Sequence, residues 1–273
     1  MMLVAVACSR ENTPPPTATT TATRIISLDF CADQYLLALA DKQAIAGLSV
    51  DATKSFSYLR EEAKGFPQIR PRAEDILLQK PDAVIRTYGG GPRIGEFLER
   101  TGINVIQIDY ANDLAGIRSN ILKTATALQQ DARGVALVEQ MDARLAAVEA
   151  RKAKNDNKAI LYLTSKGAVA GRGTMVDELI NHAGLSNFEH KQGWGEISLE
   201  ALAYKQPSMI AAGFFDGDDA QTDQWSPARH PLARRALSDA DVIPIPGALT
   251  ACGGWFTLDA IEAMNNADKG GGL

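Results

Sequence analysis

The chain has 273 residues, 45% of them hydrophobic, with a formal net charge of −5 and an isoelectric point near 5.3, enough apolar content for a sizeable core in one large domain or two modest ones. No Lys/Arg-rich stripe is present, so the electrostatic footprint of a nucleic-acid binder is missing. The three cysteines form no C-x-x-C pair, which argues against a disulfide scaffold or a structural metal, and no run of roughly 18 apolar residues spells a membrane-spanning helix.

From the amino terminus, Met1 to Ala7 is small and apolar and leads into Cys8, then into a Pro/Thr-rich stretch, Pro14 to Thr21, that cannot pack a core. Ala5-Val6-Ala7-Cys8 resembles the lipobox of bacterial lipoproteins. That resemblance implies a lipid anchor on Cys8, with residues 1–23 as signal remnant and disordered tether. Arg24 to Leu28 then reads as a strand and Ala32 to Leu39 as a helix. Further strands are expected at Ala44–Leu48, Ala83–Ile85 and Asn104–Ile108, with helices at Glu74–Gln79 and Ile94–Arg100. Alternating strands and helices imply a mostly parallel sheet covered by helices.

From Asp131 to Lys154 there is no proline, and Leu137, Met141, Leu145 and Val148 recur at helical spacing. The pattern predicts one helix of roughly 35 Å, at 1.5 Å per residue, long enough to cross between two lobes. The pattern then restarts, with strands at Ala159–Leu163, Met209–Ala212 and Val242–Ile245 and a helix at Met175–Ala183 closed by Gly184. The expected fold class is therefore α/β: a lobe over 24–130, a linking helix over 131–154 and a second lobe over 155–273. An internal echo supports it. Arg72 to Pro81, then Asp82-Ala83-Val84-Ile85, aligns without gaps on Ser198 to Pro207, then Ser208-Met209-Ile210-Ala211. Each half is a short helix with an early glutamate, a proline that stops it, and a strand.

These pieces, in this order, resemble the helical-backbone (class III) periplasmic binding proteins that serve siderophore, haem and cobalamin importers. The resemblance runs over about residues 24 to 262 and rests on Arg24–Leu28, Leu37-Ala38-Leu39-Ala40, Gly47-Leu48, Leu77–Ile85, Gly102-Ile103-Asn104-Val105 and Ser198–Leu202. It implies a non-enzymatic, monomeric solute-binding component of an ABC importer in the periplasm or cell envelope. Its ligand would be a metal chelate, a ferric siderophore or a corrinoid, held between the lobes and passed to the permease and its ATPase. No cofactor is implied. Family members dock through a glutamate on each lobe, and Trp194-Gly195-Glu196-Ile197-Ser198-Leu199-Glu200 resembles the docking segment of the cobalamin-binding member. Glu200 is thus expected to dock and Trp194 to face the ligand. On the amino lobe the resemblance leaves Glu74, favoured by symmetry with Glu200, and Glu96.

Ligands of open α/β sheets sit beyond the carboxyl ends of the strands. The expected ligand-binding residues are Phe30, Arg86, Tyr88, Trp194, Phe215 and Trp255: the rings suit a flat macrocycle or catechol, and Arg86, Arg93 or Arg172 suits an anionic chelate. His182, His190 and His230 form no metal-ligand spacing and read as surface or capping residues. Cys31 and Cys252 fall in opposite lobes and can pair only if their Cα atoms approach within about 7 Å. The alternatives are a haem-binding protein, a ligand-less lipoprotein scaffold and an α/β enzyme, although no phosphate loop or nucleophile elbow is present.

Overall fold

The computed structural model describes residues 23–151, 158–213 and 227–267; Cys8 and Phe215 lie outside them. The amino lobe contains β1 (Ile25–Ser27), α1 (Phe30–Leu39), β2 (Ile45–Ser49), β3 (Gln68–Ile69), α2 (Ala73–Leu78), β4 (Ala83–Arg86), α3 (Ile94–Arg100), β5 (Asn104–Gln107) and α4 (Leu114–Ala127). Its sheet is parallel throughout, in the order β3-β2-β1-β4-β5. The chain leaves β1 toward one edge and returns to build the other from β4. The switch point therefore falls between β1 and β4, where open α/β sheets hold their ligands.

Helix α5 (Asp131–Glu149) follows. It has 19 residues, about 28 Å of rise, and closes earlier than the expected Lys154: Ala150 caps it and Arg151 lies in a turn. Its two halves hold different lobes. Arg133 donates to the Leu39 carbonyl at 2.9 Å and to Asp41 at 2.6 Å, whereas Arg144 binds Asp259 and Glu262 near the carboxyl terminus.

The carboxyl lobe runs β6 (Ala159–Thr164), β7 (Ala168–Ala170), α6 (Met175–His182), β8 (Ser186–Asn187), β9 (Trp194–Glu196), α7 (Leu199–Tyr204), β10 (Met209–Gly213), α8 (Pro231–Asp239), β11 (Asp241–Ile245) and α9 (Thr257–Asn266). Its sheet has the order β11-β10-β6-β7-β9, with β8 also on β6. Here β7 and β9 are antiparallel to their neighbours, a departure from the uniform parallel pattern. Strands β6 and β10 are almost wholly apolar because both faces of the sheet are covered there, whereas the edge strand β11 exposes Asp241, Val242 and Pro244. His230 caps α8 by accepting from the Leu232 amide, and His182 lies between Glu149 and Glu178, linking α5 to α6.

The echo is a structural repeat. Helices α2 and α7 are six residues each, preceded at the N-cap position by the equivalent Arg72 and Ser198, of which only Ser198 makes a side-chain cap bond, pinned by the equivalent buried Ile76 and Leu202, and followed by β4 and β10. The largest hydrophobic cluster is continuous across both lobes, joining Leu36, Ile85 and Ile121 to Met141, Tyr162 and Ile261. Cys31 at the start of α1 is disulfide-bonded to Cys252, with Cα atoms 5.5 Å apart, inside the limit that such a bond requires. The staple is flanked by two further cross-lobe contacts: the Tyr35 hydroxyl donates to the Gly253 carbonyl at 2.9 Å, and Tyr58 stacks on Phe256 at 4.6 Å. Among the described residues no helix is long and apolar enough to cross a membrane.

Candidate functional site

A cavity of about 480 Å³ opens between the lobes at the carboxyl ends of their strands, within the size range of small-molecule sites. Its amino-lobe wall is Thr87-Tyr88 after β4 and Gln107 to Ala111 at the end of β5; its carboxyl-lobe wall is Met175, Val176, Trp194 and the 250–253 segment, and the Cys31–Cys252 disulfide forms part of the lining.

Asp29 sets the position of Tyr88. It caps α1 by accepting from the Ala32 amide at 2.9 Å, and it also accepts from the Thr87, Tyr88 and Gly89 amides at 2.8, 3.1 and 2.9 Å and from the Thr87 hydroxyl. A buried carboxylate with five donors is fully compensated, and here it fastens the β4 loop across the switch point onto α1. Gly89 permits that approach, because a Cβ there would overlap the Leu28 carbonyl. Partial desolvation against the cavity wall, followed by the negative charges of Asp29, Asp51 and Asp33, pushes the Tyr88 phenol above its ordinary pKa. Tyr88 therefore presents a protonated phenol and a ring 55% exposed at the cavity wall.

Of the six sequence-expected ligand residues, Tyr88 and Trp194 line the cavity. Trp194 does so from the first residue of the antiparallel β9, not from the end of a parallel strand, and its ring meets Tyr162 edge-on at 5.9 Å. Phe30 stands behind Tyr88, edge-on to it at 6.3 Å and to Phe56 at 4.8 Å. Arg86 points elsewhere. The strand's alternation puts it on the same face as Val84, under α3, where it is buried and its Nη2 donates to the Gly91 carbonyl at 3.0 Å. Trp255 packs between Tyr35 and Phe256 beside a smaller cavity bounded by Met141 and Arg144. Phe215 lies outside the described residues. Glu74, Glu96 and Glu200 are all exposed, on α2, α3 and α7.

Sequence reasoning passed over Tyr110, which is 83% exposed at the cavity mouth. It follows β5 by three residues, so the strand-end rule that selected Tyr88 would also have reached it. The lining has a distinctive charge: Asp109, paired at its carboxylate with Lys123 at 3.0 Å, is the only ionic side chain, and no Lys, Arg or His lines the cavity among the described residues. Arg93 precedes α3 at its N-cap position and Arg172 bridges to Gln192 through its backbone, and neither lines the cavity. Among the described residues no group of three or more His, Cys, Asp or Glu is arranged to hold a metal ion.

Comparison with known proteins follows the same line. No curated protein matches the chain. Among solved structures, it is similar to the periplasmic haem-binding protein RhuT from Roseiflexus sp. RS-1 in apo form (25% identity, 90% of this chain and 99% of that one, TM-score 0.72). It is also similar to the periplasmic haem-binding protein HutB of Vibrio cholerae (21%, 90% and 98%, TM-score 0.70) and the vitamin B12-binding protein BtuF of Vibrio cholerae (21%, 91% and 97%, TM-score 0.67). The family described as periplasmic binding protein matches residues 25–223. Two α/β lobes, a linking helix, an interlobe cavity and this match lead to one conclusion: the chain belongs to the periplasmic binding protein family.

Proposed function

We propose that this chain is the substrate-binding component of an ABC importer and that its cleft takes a planar metal chelate without net negative charge, a corrinoid being the class that fits best. The observation that carries the ligand class is the cavity lining: aromatic side chains at Tyr88, Tyr110 and Trp194, backbone and amide groups around Gln107 and Gly253, and, among the described residues, one carboxylate and no cation. A carboxylate- or catecholate-rich chelate would bring anionic groups against Asp109 with no cationic side chain among the described lining residues to receive them, which is unfavourable in a partly desolvated site. A neutral or cationic macrocycle bearing amides meets rings for its flat face and donors and acceptors for its rim.

Haem is the second reading. It is favoured by the likeness to RhuT and HutB, which are described as haem-binding. The test is quenching of tryptophan fluorescence by cyanocobalamin, dicyanocobinamide, haemin and ferric siderophores in parallel. The expected result is submicromolar quenching by a corrinoid that is lost in Trp194→Ala. Tighter binding of haemin or of an anionic siderophore would overturn the charge argument and leave the binding-protein role intact.

Delivery follows from the repeat. Glu74 and Glu200 occupy equivalent positions on α2 and α7 and serve as the docking carboxylates toward the permease; Glu96, on α3, has no counterpart in the second lobe's repeat. The protein works as a monomer in the periplasm, held to the membrane through Cys8. Labelled palmitate entering the full-length chain but not Cys8→Ala would support the anchor, and no incorporation in either would remove it.

A further inference from the structure

The repeat carries more than two carboxylates. In α2 the residue four positions after Glu74 is Leu78, and in α7 the residue four positions after Glu200 is Tyr204. Residues at i and i+4 share one helix face. Leu78 is 76% exposed and Tyr204 is 86% exposed, far more than the buried Ile76 and Leu202 that pin the same helices. Exposed apolar side chains are ordinary when scattered. Two at the same position of a gap-free repeat, each beside an exposed glutamate, are a duplicated feature. Neither glutamate has an ion-pair partner among the described residues, whereas Asp75 on α2 is paired with Arg70 at 3.0 Å. Both helices begin at the carboxyl ends of their sheets, the edge on which the cavity opens, and run back toward β4 and β10.

We infer that Leu78 and Tyr204 are the apolar anchors of a two-point docking surface, each paired with the adjacent carboxylate. The partner it fits is a permease whose outer face presents, twice about a two-fold axis, a basic side chain beside an apolar socket. The inference rests on the docking role proposed for Glu74 and Glu200 and adds a division of labour. Exposed charges steer encounter and set the association rate, whereas an apolar side chain seated in a socket is desolvated only in the complex and sets its lifetime. The two anchors differ in kind: a tyrosine, among the residue types enriched in binding hot spots, gives the carboxyl lobe the stronger contact.

The test uses the full-length protein and the importer's permease–ATPase complex in nanodiscs, with association and dissociation rates read separately at low and moderate salt. Leu78→Ser with Tyr204→Ser is expected to speed dissociation at least about tenfold and to leave association within about twofold. Glu74→Gln with Glu200→Gln is expected to slow association and flatten its salt dependence. Tyr204→Ser alone should exceed Leu78→Ser alone. Both double variants should keep wild-type ligand quenching and melting temperature, since none of the four side chains is buried. Unchanged dissociation in the Leu78/Tyr204 variant, with association impaired in the glutamate variant, would overturn the apolar anchors and leave the docking carboxylates standing. Unchanged rates in both would remove α2 and α7 from the docking surface altogether.

Discussion

Asp33 shows how one residue in the first turn of α1 trades stability for order. It is fully buried, its carboxylate accepts from the Ser49 amide at 3.0 Å and from the Ser49 hydroxyl at 2.6 Å, and it ties α1 to the end of β2. Burial outweighs these bonds and raises its pKa from 3.8 to about 6, with the nearby Asp29 adding to the rise. A raised carboxyl pKa means that the folded protein holds the proton more tightly than the unfolded chain. The contribution of Asp33 to stability is therefore greatest below its unfolded value, falls as pH climbs from 3.8 to about 6, and is lowest and constant above that. The span corresponds to about 3 kcal/mol at most. Asp33→Asn, which keeps the shape and an acceptor for the Ser49 amide, should match wild type near pH 4 and be more stable at pH 7.5 by about 1–2 kcal/mol. Urea unfolding of both proteins across that range checks it; parallel curves for the two would exclude Asp33 as the source. The tightly bonded Asp29, four residues earlier, shows what the sequence could and could not convey. That an aspartate precedes a helix reads as a cap, but nothing local announces that the same carboxylate also holds residues 87–89 from 58 positions away.

At the scale of elements, the strands and helices of the amino lobe other than the two-residue β3 and helix α4 are legible nearly to their ends, because each apolar run is bounded by a glycine, a proline or a charged cluster. Three helices were not anticipated. In α4 the buried face includes Asn120 and Thr124 beside Ile117 and Ile121, so the apolar periodicity is diluted. In α8 it is reduced to Ala233 and Ala236. In α9 it includes Thr257 and Asn265, the latter donating to the Ala183 carbonyl. Strands β7 and β9, at three residues each, are too short to carry a pattern. Arg86 was misread for a related reason: the end of a strand is visible in sequence, whereas the face on which its last side chain falls depends on register. The linking helix depends on contacts of this kind. Asp259 on α9 accepts from the Tyr58 hydroxyl at 3.0 Å and pairs with Arg144 of α5, which also binds Glu262. Asp259→Ala removes a hydrogen bond to the amino lobe and one arm of the Arg144 pair, and should lower stability by about 1–2 kcal/mol. The check is the urea midpoint; Glu262→Ala, which leaves Tyr58 its partner, should cost less.

For the whole molecule, the continuous core and the ties at Tyr35, Tyr58 and Cys31 favour small relative motion of the lobes, with the linking helix resisting bending more than a loop hinge would. The cleft is then largely preformed, and little ordering cost is left for the ligand to meet. The disulfide is a measurable share of this. It joins residues 221 apart, and the loop-entropy estimate for a ring of that size is about 5 kcal/mol, the upper end of what disulfides contribute. Cys31→Ser with Cys252→Ser should lower the melting temperature and weaken ligand quenching, because two serines restore neither the tether nor the cavity wall. Retained melting temperature and affinity would show that the core alone fixes the lobes. The bond has another consequence, in the bookkeeping of fragments and not in energy. It closes residues 31–252 into one covalent ring. A single proteolytic cut anywhere inside that ring produces no smaller species until a reductant is added, so intact migration on a non-reducing gel is no sign of an intact backbone.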